Sequence, residues 1–295
     1  MVHAFQGMLR AAIDVLRGRS PYRGAKGLLA AAARVLVWPF TYATWRIRCR
    51  FGPARTAAGL PPITLILLSF SRPRNLAAQV DAALACSFIT EVILSNNNPE
   101  IELSGYVKRR HARLKLIQQR TPCSCVKRIE LAAQLNREFC LCMDDDLYLW
   151  PSQLERLARA LANDPDRIHG ITGANFDPGR RSRWSGFRNE EREVDVVSRV
   201  YAFTSAHARR FFALIDALQE AEPALVQDPN LIEDVVLSFS GRERARIHRL
   251  GPYIPDVSSM DHRKAIHRRE HFIRRRCRTY QLLRAWHRNG STDAP

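Results

Sequence analysis

Five apolar residues, Phe139 to Met143, end abruptly on three consecutive carboxylates, Asp144, Asp145 and Asp146. An apolar run of that length, rich in Phe and Cys and closed by a polar break, reads as a buried strand, which puts the acids at its carboxyl end. In an open α/β sheet that end is where ligands bind. Hard divalent cations prefer oxygen ligands and can be anchored by one or two carboxylates while substrate phosphates complete the shell. The direct reading is a metal-bridged nucleotide; a solvated acidic loop without a task is the alternative.

The context favours the first reading. Ser152 and Glu155 have the spacing of a capping box, predicting a helix from Gln153 to about Ala162 with Leu154, Leu157, Ala158 and Leu161 on one face. The acids thus sit in a tight strand-to-helix connection. Further strands are predicted over 63–68, 91–94 and 114–117, and helices over 75–84 and 126–135. That succession implies an α/β fold with a mostly parallel sheet flanked by helices.

Charge divides the chain into three. The whole carries +17, of which residues 1–60 hold +9, residues 256–295 hold +6 and the middle only +2. A nucleic-acid-binding protein concentrates its basic charge on the binding module, and here the central module is nearly neutral, so no nucleic-acid partner is expected. Basic ends on a neutral core instead suit an anionic membrane surface. Residues 27–45 are almost long enough to span a bilayer, but Arg34 and Pro39 interrupt them. Trp38, Tyr42 and Trp45, followed by Arg46, Arg48 and Arg50, suit the headgroup boundary. Residues 1–50 are read as amphipathic helices lying on the membrane, with a single spanning segment or a plain packing helix as alternatives. Seven cysteines form no disulfide or zinc pattern and fit reduced thiols. The expectation is therefore a cytoplasmic protein, peripheral on the inner face of a membrane.

Five motifs occur in order: a strand ending in Ser69-Phe70-Ser71-Arg72, a second ending in Asn96-Asn97-Asn98-Pro99, the acidic triplet, Pro165-Asp166-Arg167-Ile168-His169-Gly170, and Glu233-Asp234. Together they resemble the GT-A (Rossmann-like) nucleotide-sugar glycosyltransferases, most narrowly the exostosin-type domain of glycosyltransferase family 64. The resemblance covers about residues 61–270. Ser69-Phe70 stands where that family has Thr-Tyr, and Ser95 where it has Trp. Three segments follow: a basic membrane-associating part (1–60), the GT-A domain (61–255) and a basic part closing the nucleotide site (256–295).

The resemblance implies an enzyme that moves a sugar, an N-acetylhexosamine in the nearest family, from a UDP-sugar to a glycan or lipid-linked acceptor with Mn²⁺ or Mg²⁺ and retention of configuration. An inverting GT-A transferase and a catalytically inactive glycan- or nucleic-acid-binding protein are the rivals. On its residue mapping, Asp144 orients the nucleoside, with Asp145 beside it, and Asp146 binds the metal. Ser69, Arg72, Asn97 and Arg268 fall on the nucleotide side. Arg72 has the planar donors that suit uracil or diphosphate, although Arg72 and Asn97 also read as ordinary loop residues. His262 is the preferred metal-binding imidazole, with His267 and His271 as competitors. Asp234, with Glu233, is the expected catalytic carboxylate; a bland helix start is the other reading of the pair. Trp184 is expected to stack on the acceptor sugar, or else to be buried packing.

Overall fold

The computed structural model describes residues 24–135, 138–180, 183–255 and 271–288. One mixed sheet organises them. Its first half consists of β1 (Ile63–Ser69), β2 (Ile89–Asn96), β3 (Leu114–Gln118) and β4 (Phe139–Met143), all parallel and ordered β3-β2-β1-β4. β1, β2 and β4 are near-continuous apolar runs because both their faces are covered, whereas β3 lies at the sheet edge and is largely open. Leu65, Leu67, Leu141 and Met143 enter the core on one face, whereas Ile66, Cys140 and Cys142 enter the core on the other.

Helix α2 (Pro73–Leu84) follows β1, and α3 (Lys127–Gln134) precedes β4. The short β5 (Leu147–Tyr148) leads into α4 (Pro151–Asn163). That helix starts earlier than its sequence suggests. Pro151 opens it, and the side-chain oxygen of Gln153 accepts the Trp150 amide at 2.9 Å, so Ser152 is not the cap. Glu155 instead pairs with Arg55 and Arg159.

The second half of the sheet contains β6 (His169–Phe176), β7 (Trp184–Arg188), β8 (Arg192–Glu193), β9 (Val196–Thr204) and β10 (Arg246–Ile247). β9 runs antiparallel to both β4 and β6, and β7 pairs with β6. The remaining elements are α5 (Ser205–Ala221), α6 (Glu233–Phe239), β11 (Ile254–Pro255), which pairs with β5, and α7 (Phe272–Arg288).

The Pro165–Gly170 motif serves this architecture. Arg167 forms ion pairs with Asp164, Glu193 and Glu243, tying the loop before β6 to β8 and to the loop before β10. At Gly170 a Cβ would lie 2.2 Å from a Val197 methyl and 2.8 Å from the Val200 carbonyl oxygen, so only glycine admits the close crossing of β6 and β9.

Helix α1 (Gly24–Phe51) packs on this domain through aromatic side chains. Trp45 is fully buried, donates its indole N–H to the Leu149 carbonyl at 2.8 Å and lies 4.9 Å from the Tyr148 ring. Tyr42 stacks between Trp38 and Trp45. Asp81 of α2, itself buried, receives Arg46, Arg50 and Arg109. This corrects the reading of these aromatics as a headgroup belt: Trp45 and its neighbours face the protein, where they pack in one cluster with Tyr148 and Trp150. Among the described residues no helix is long and apolar enough to cross a membrane.

Candidate active site

The strand order fixes where ligands meet the sheet. The chain passes from β1 outward to β2 and β3, then returns to place β4 on the other side of β1. The crevice beyond the carboxyl ends of β1 and β4 is therefore the point at which the winding reverses, where open α/β sheets bind ligands. Leu67 is in register with Met143, so the segment Ser69–Arg72 and the triplet Asp144–Asp146 emerge side by side.

Side chains from α2 fasten the triplet's backbone. Gln79, fully buried, donates to the carbonyls of Asp144 and Leu147, both at 2.8 Å, and Asn75 donates to the carbonyl of Asp145 at 2.7 Å. On the opposite side the Asp144 amide donates to the Arg199 carbonyl at 2.9 Å. The three carboxylates are thereby held at fixed positions, each facing an arginine. Arg128 contacts Asp144 at 2.9 Å, Arg72 contacts Asp145 at 2.9 Å, and Arg199 contacts Asp146 at 2.7 Å, with Arg72 also 3.8 Å from Asp146. Asp145 thus faces Arg72 across the β1–β4 crevice.

Arg199 reaches its partner from a strained backbone. Its φ is +69°, in the left-handed region that non-glycine residues seldom adopt. The strain coincides with a register shift between β6 and β9, a bulge that re-aims the side chain.

A second carboxylate layer lies behind the first. Arg128, buried on α3, grips Glu233 with two hydrogen bonds of 2.6 and 3.0 Å, and Tyr201 lies under its guanidinium at 5.0 Å. Arg128 thus bridges Asp144 of the triplet to the first turn of α6. Burial pushes the Asp144 carboxyl up, to about 6, against the opposing pull of Arg128. Asp234 accepts from Arg276 of α7, whose guanidinium lies 5.3 Å from the Trp184 ring. Trp184 meets Phe176 and Tyr280 edge to face, at 5.7 and 5.5 Å.

Other expected residues sit as follows. Ser69 is buried at the end of β1, and its hydroxyl has no hydrogen-bond partner among the described residues. Asn97 spends its amide inside the fold, donating to the Ser124 carbonyl at 2.7 Å and accepting from Ser95 at 3.0 Å. It pins the loop before α3, and so the approach of Arg128. His262, His267 and Arg268 lie outside the described residues; His271 is exposed just before α7. Sequence reading missed Arg128, Arg199, Arg276 and Gln79. For the arginines there was no local signal, since their roles depend on carboxylates far away in the chain.

Among the described residues no three His, Cys, Asp or Glu side chains converge to hold a metal ion. Asp144 and Asp146 nevertheless offer the hard oxygens that suit a divalent cation taking the rest of its shell from phosphates.

Residues 63–287 match the glycosyl transferase family 64 domain. The chain belongs to that family. It thus carries a glycosyltransferase domain, built on a mixed α/β sheet flanked by helices. Two solved structures are similar in outline. One is GalNAc-T7 with UDP, GalNAc and Mn²⁺, at 11% identity and a TM-score of 0.47, covering 66% of this chain and 43% of that one. The other is CMP:2-keto-3-deoxy-manno-octonic acid synthetase complexed with CTP, at 12% identity and a TM-score of 0.43, covering 66% and 92%. This chain therefore spans less than half the length of the first. No match was found among curated proteins.

Proposed function

We propose that this glycosyltransferase moves a sugar, an N-acetylhexosamine on the exostosin-type reading, from a UDP-sugar to a glycan or lipid-linked acceptor, with retention. The observation that carries the proposal is the meeting of the triplet with Arg72, Arg128 and Arg199 at the β1–β4 crevice. Arg72 and Arg199 supply planar donors where a diphosphate would lie, and Asp144 and Asp146 are the residues that would hold Mn²⁺ or Mg²⁺. Held there, such a cation would supply positive charge against the negative charge developing on the departing nucleoside diphosphate. Behind it the two late acids divide their work. Glu233, bound at both oxygens by Arg128, positions that arginine; Asp234, less buried and beside Arg276 and Trp184, is the carboxylate that faces the sugar and acceptor.

The basic ends and the free thiols of all seven cysteines support action in the cytoplasm beside an anionic membrane. The test is a screen of UDP-sugars for hydrolysis and transfer, with and without Mn²⁺, using the wild type and Asp146→Asn, and with the product anomer read by NMR. One UDP-sugar should be turned over only with the cation, and Asp146→Asn should abolish turnover while the circular-dichroism spectrum stays that of the wild type. Wild-type turnover by Asp146→Asn in saturating Mn²⁺ would remove Asp146 from the site.

A further inference from the structure

The inward face of α1 is spent on the domain; its outward face is not. Leu36, Phe40, Ile47 and Phe51 are 70%, 77%, 61% and 78% exposed, and Val37 is 58% exposed. At about 100° per residue the first four fall within about 60° of one another, opposite Trp45 and Cys49, with Val37 at the edge of the stripe. Arg48 and Arg50 stand on its two borders by the same geometry. Four large apolar side chains held outward on a helix whose other face is locked to the core are not needed for folding. A contiguous exposed apolar patch of this kind marks an interaction surface.

Charge decides the occupant. The first 60 residues carry +9 and the chain +17, so a second copy would bring like charge to the same face, whereas an anionic bilayer attracts it. The length suits this too: 28 residues make a rod of about 42 Å, which lies along a surface, and no described helix can cross the bilayer. We propose that the outward stripe of α1 inserts into the headgroup layer of an anionic membrane, with Phe40 and Phe51 as its anchors. This rests on the membrane part of the reading above and not on the chemistry of transfer.

The position has a consequence for the active site. Trp45, on the inward side of the same helix, holds the carbonyl of Leu149, which lies just beyond the triplet in the chain. Docking α1 would therefore fix the acidic crevice at a set height and tilt above the lipid.

The experiment uses the full chain and the double variant Phe40→Ser/Phe51→Ser, which alters only exposed rings. Co-sedimentation is measured with phosphatidylcholine vesicles containing a quarter phosphatidylglycerol, and with phosphatidylcholine alone. The wild type should bind the anionic vesicles and bind the neutral ones far more weakly. The variant should lose binding to the anionic vesicles on the order of 10²-fold, with an unchanged melting curve and unchanged UDP-sugar hydrolysis in solution. Equal binding by variant and wild type would overturn the assignment of the face. Absence of wild-type binding to anionic vesicles would overturn the membrane reading itself, while hydrolysis reports separately on the chemistry. Light scattering without lipid covers the remaining occupant: a wild-type dimer that the variant dissolves would assign the stripe to a second copy.

Discussion

Arg128→Met is the most informative single change in this protein. Arg128 is nearly inaccessible, at 7% side-chain exposure, and so is its partner Glu233, at 5%, so solvent screens their interaction little. Removing the guanidinium strands a buried carboxylate that held two hydrogen bonds and leaves Asp144 without its neighbour. Breaking a buried pair from one side costs about 3–5 kcal/mol. For a domain of this size that lowers the thermal midpoint by roughly 6–20 °C. Adding Glu233→Gln to Arg128→Met should restore most of the loss, because the more deeply buried of the two stranded charges is then gone. Thermal and urea melts of the four members of this cycle provide the measurement. A deficit under about 1 kcal/mol for Arg128→Met, or no recovery in the double variant, would refute the reasoning.

Asp234→Asn should leave UDP affinity by calorimetry within a few fold while transfer falls on the order of 10²-fold or more; equal losses in both would reduce Glu233-Asp234 to a helix start. His169 and His207 are both held by burial at a pKa of about 4, below the ordinary 6.5, so the unfolded chain binds more protons than the folded one between these values. Stability should be full above about pH 6.5 and fall as pH drops toward 4, and His207→Gln should flatten that limb of a urea-midpoint profile against pH; an unchanged slope would contradict a buried neutral imidazole there.

Residues 63–69, 89–96 and 139–143 were legible because strands buried on both faces announce themselves as apolar runs. The open edge strand 114–118 was read from Leu114, Leu116 and Ile117 alone, and each predicted end of the four falls within two residues of the observed one. The antiparallel half was not read as strands. Val196–Thr204 is rich in β-branched and aromatic residues and carried a usable signal, but Ser198 and Arg199 break its pattern at the bulge that aims Arg199. The acidic half of the candidate site was visible as a motif, since three adjacent carboxylates are rare at a strand end. Its basic half was hidden among 46 Lys and Arg residues, where nothing local separates Arg128 from any other. Only the fold brings α3, α6, α7 and the β9 bulge to the triplet. The aromatics of α1 were misplaced for a related reason: an aromatic-then-arginine pattern describes a membrane boundary and a docked helix face equally well, and for Tyr42 and Trp45 the presence of Tyr148 decides in favour of docking.

The charge inventory of the crevice bears on how such a site would take its donor. Asp144, Asp145, Asp146, Glu233 and Asp234 face Arg72, Arg128, Arg199 and Arg276, so five negative groups are met by four positive ones and the site is almost neutral by itself. A diphosphate arriving alone would draw arginines from the acids and leave several carboxylates uncompensated in a partly buried place. A divalent cation arriving alone would draw carboxylates from the arginines and leave those bare instead. Either exchange is penalised, because an unpaired charge in a low-dielectric crevice is costly. Together, two positive and two negative charges add nothing to the balance, and every group changes partner without losing one. On the proposed reading, Arg72 and Arg199 release Asp145 and Asp146 only when the phosphates are there to receive them. Nucleotide and cation affinities should therefore be strongly and reciprocally coupled, and the coupling should depend on the same arginines that pair with the acidic triplet.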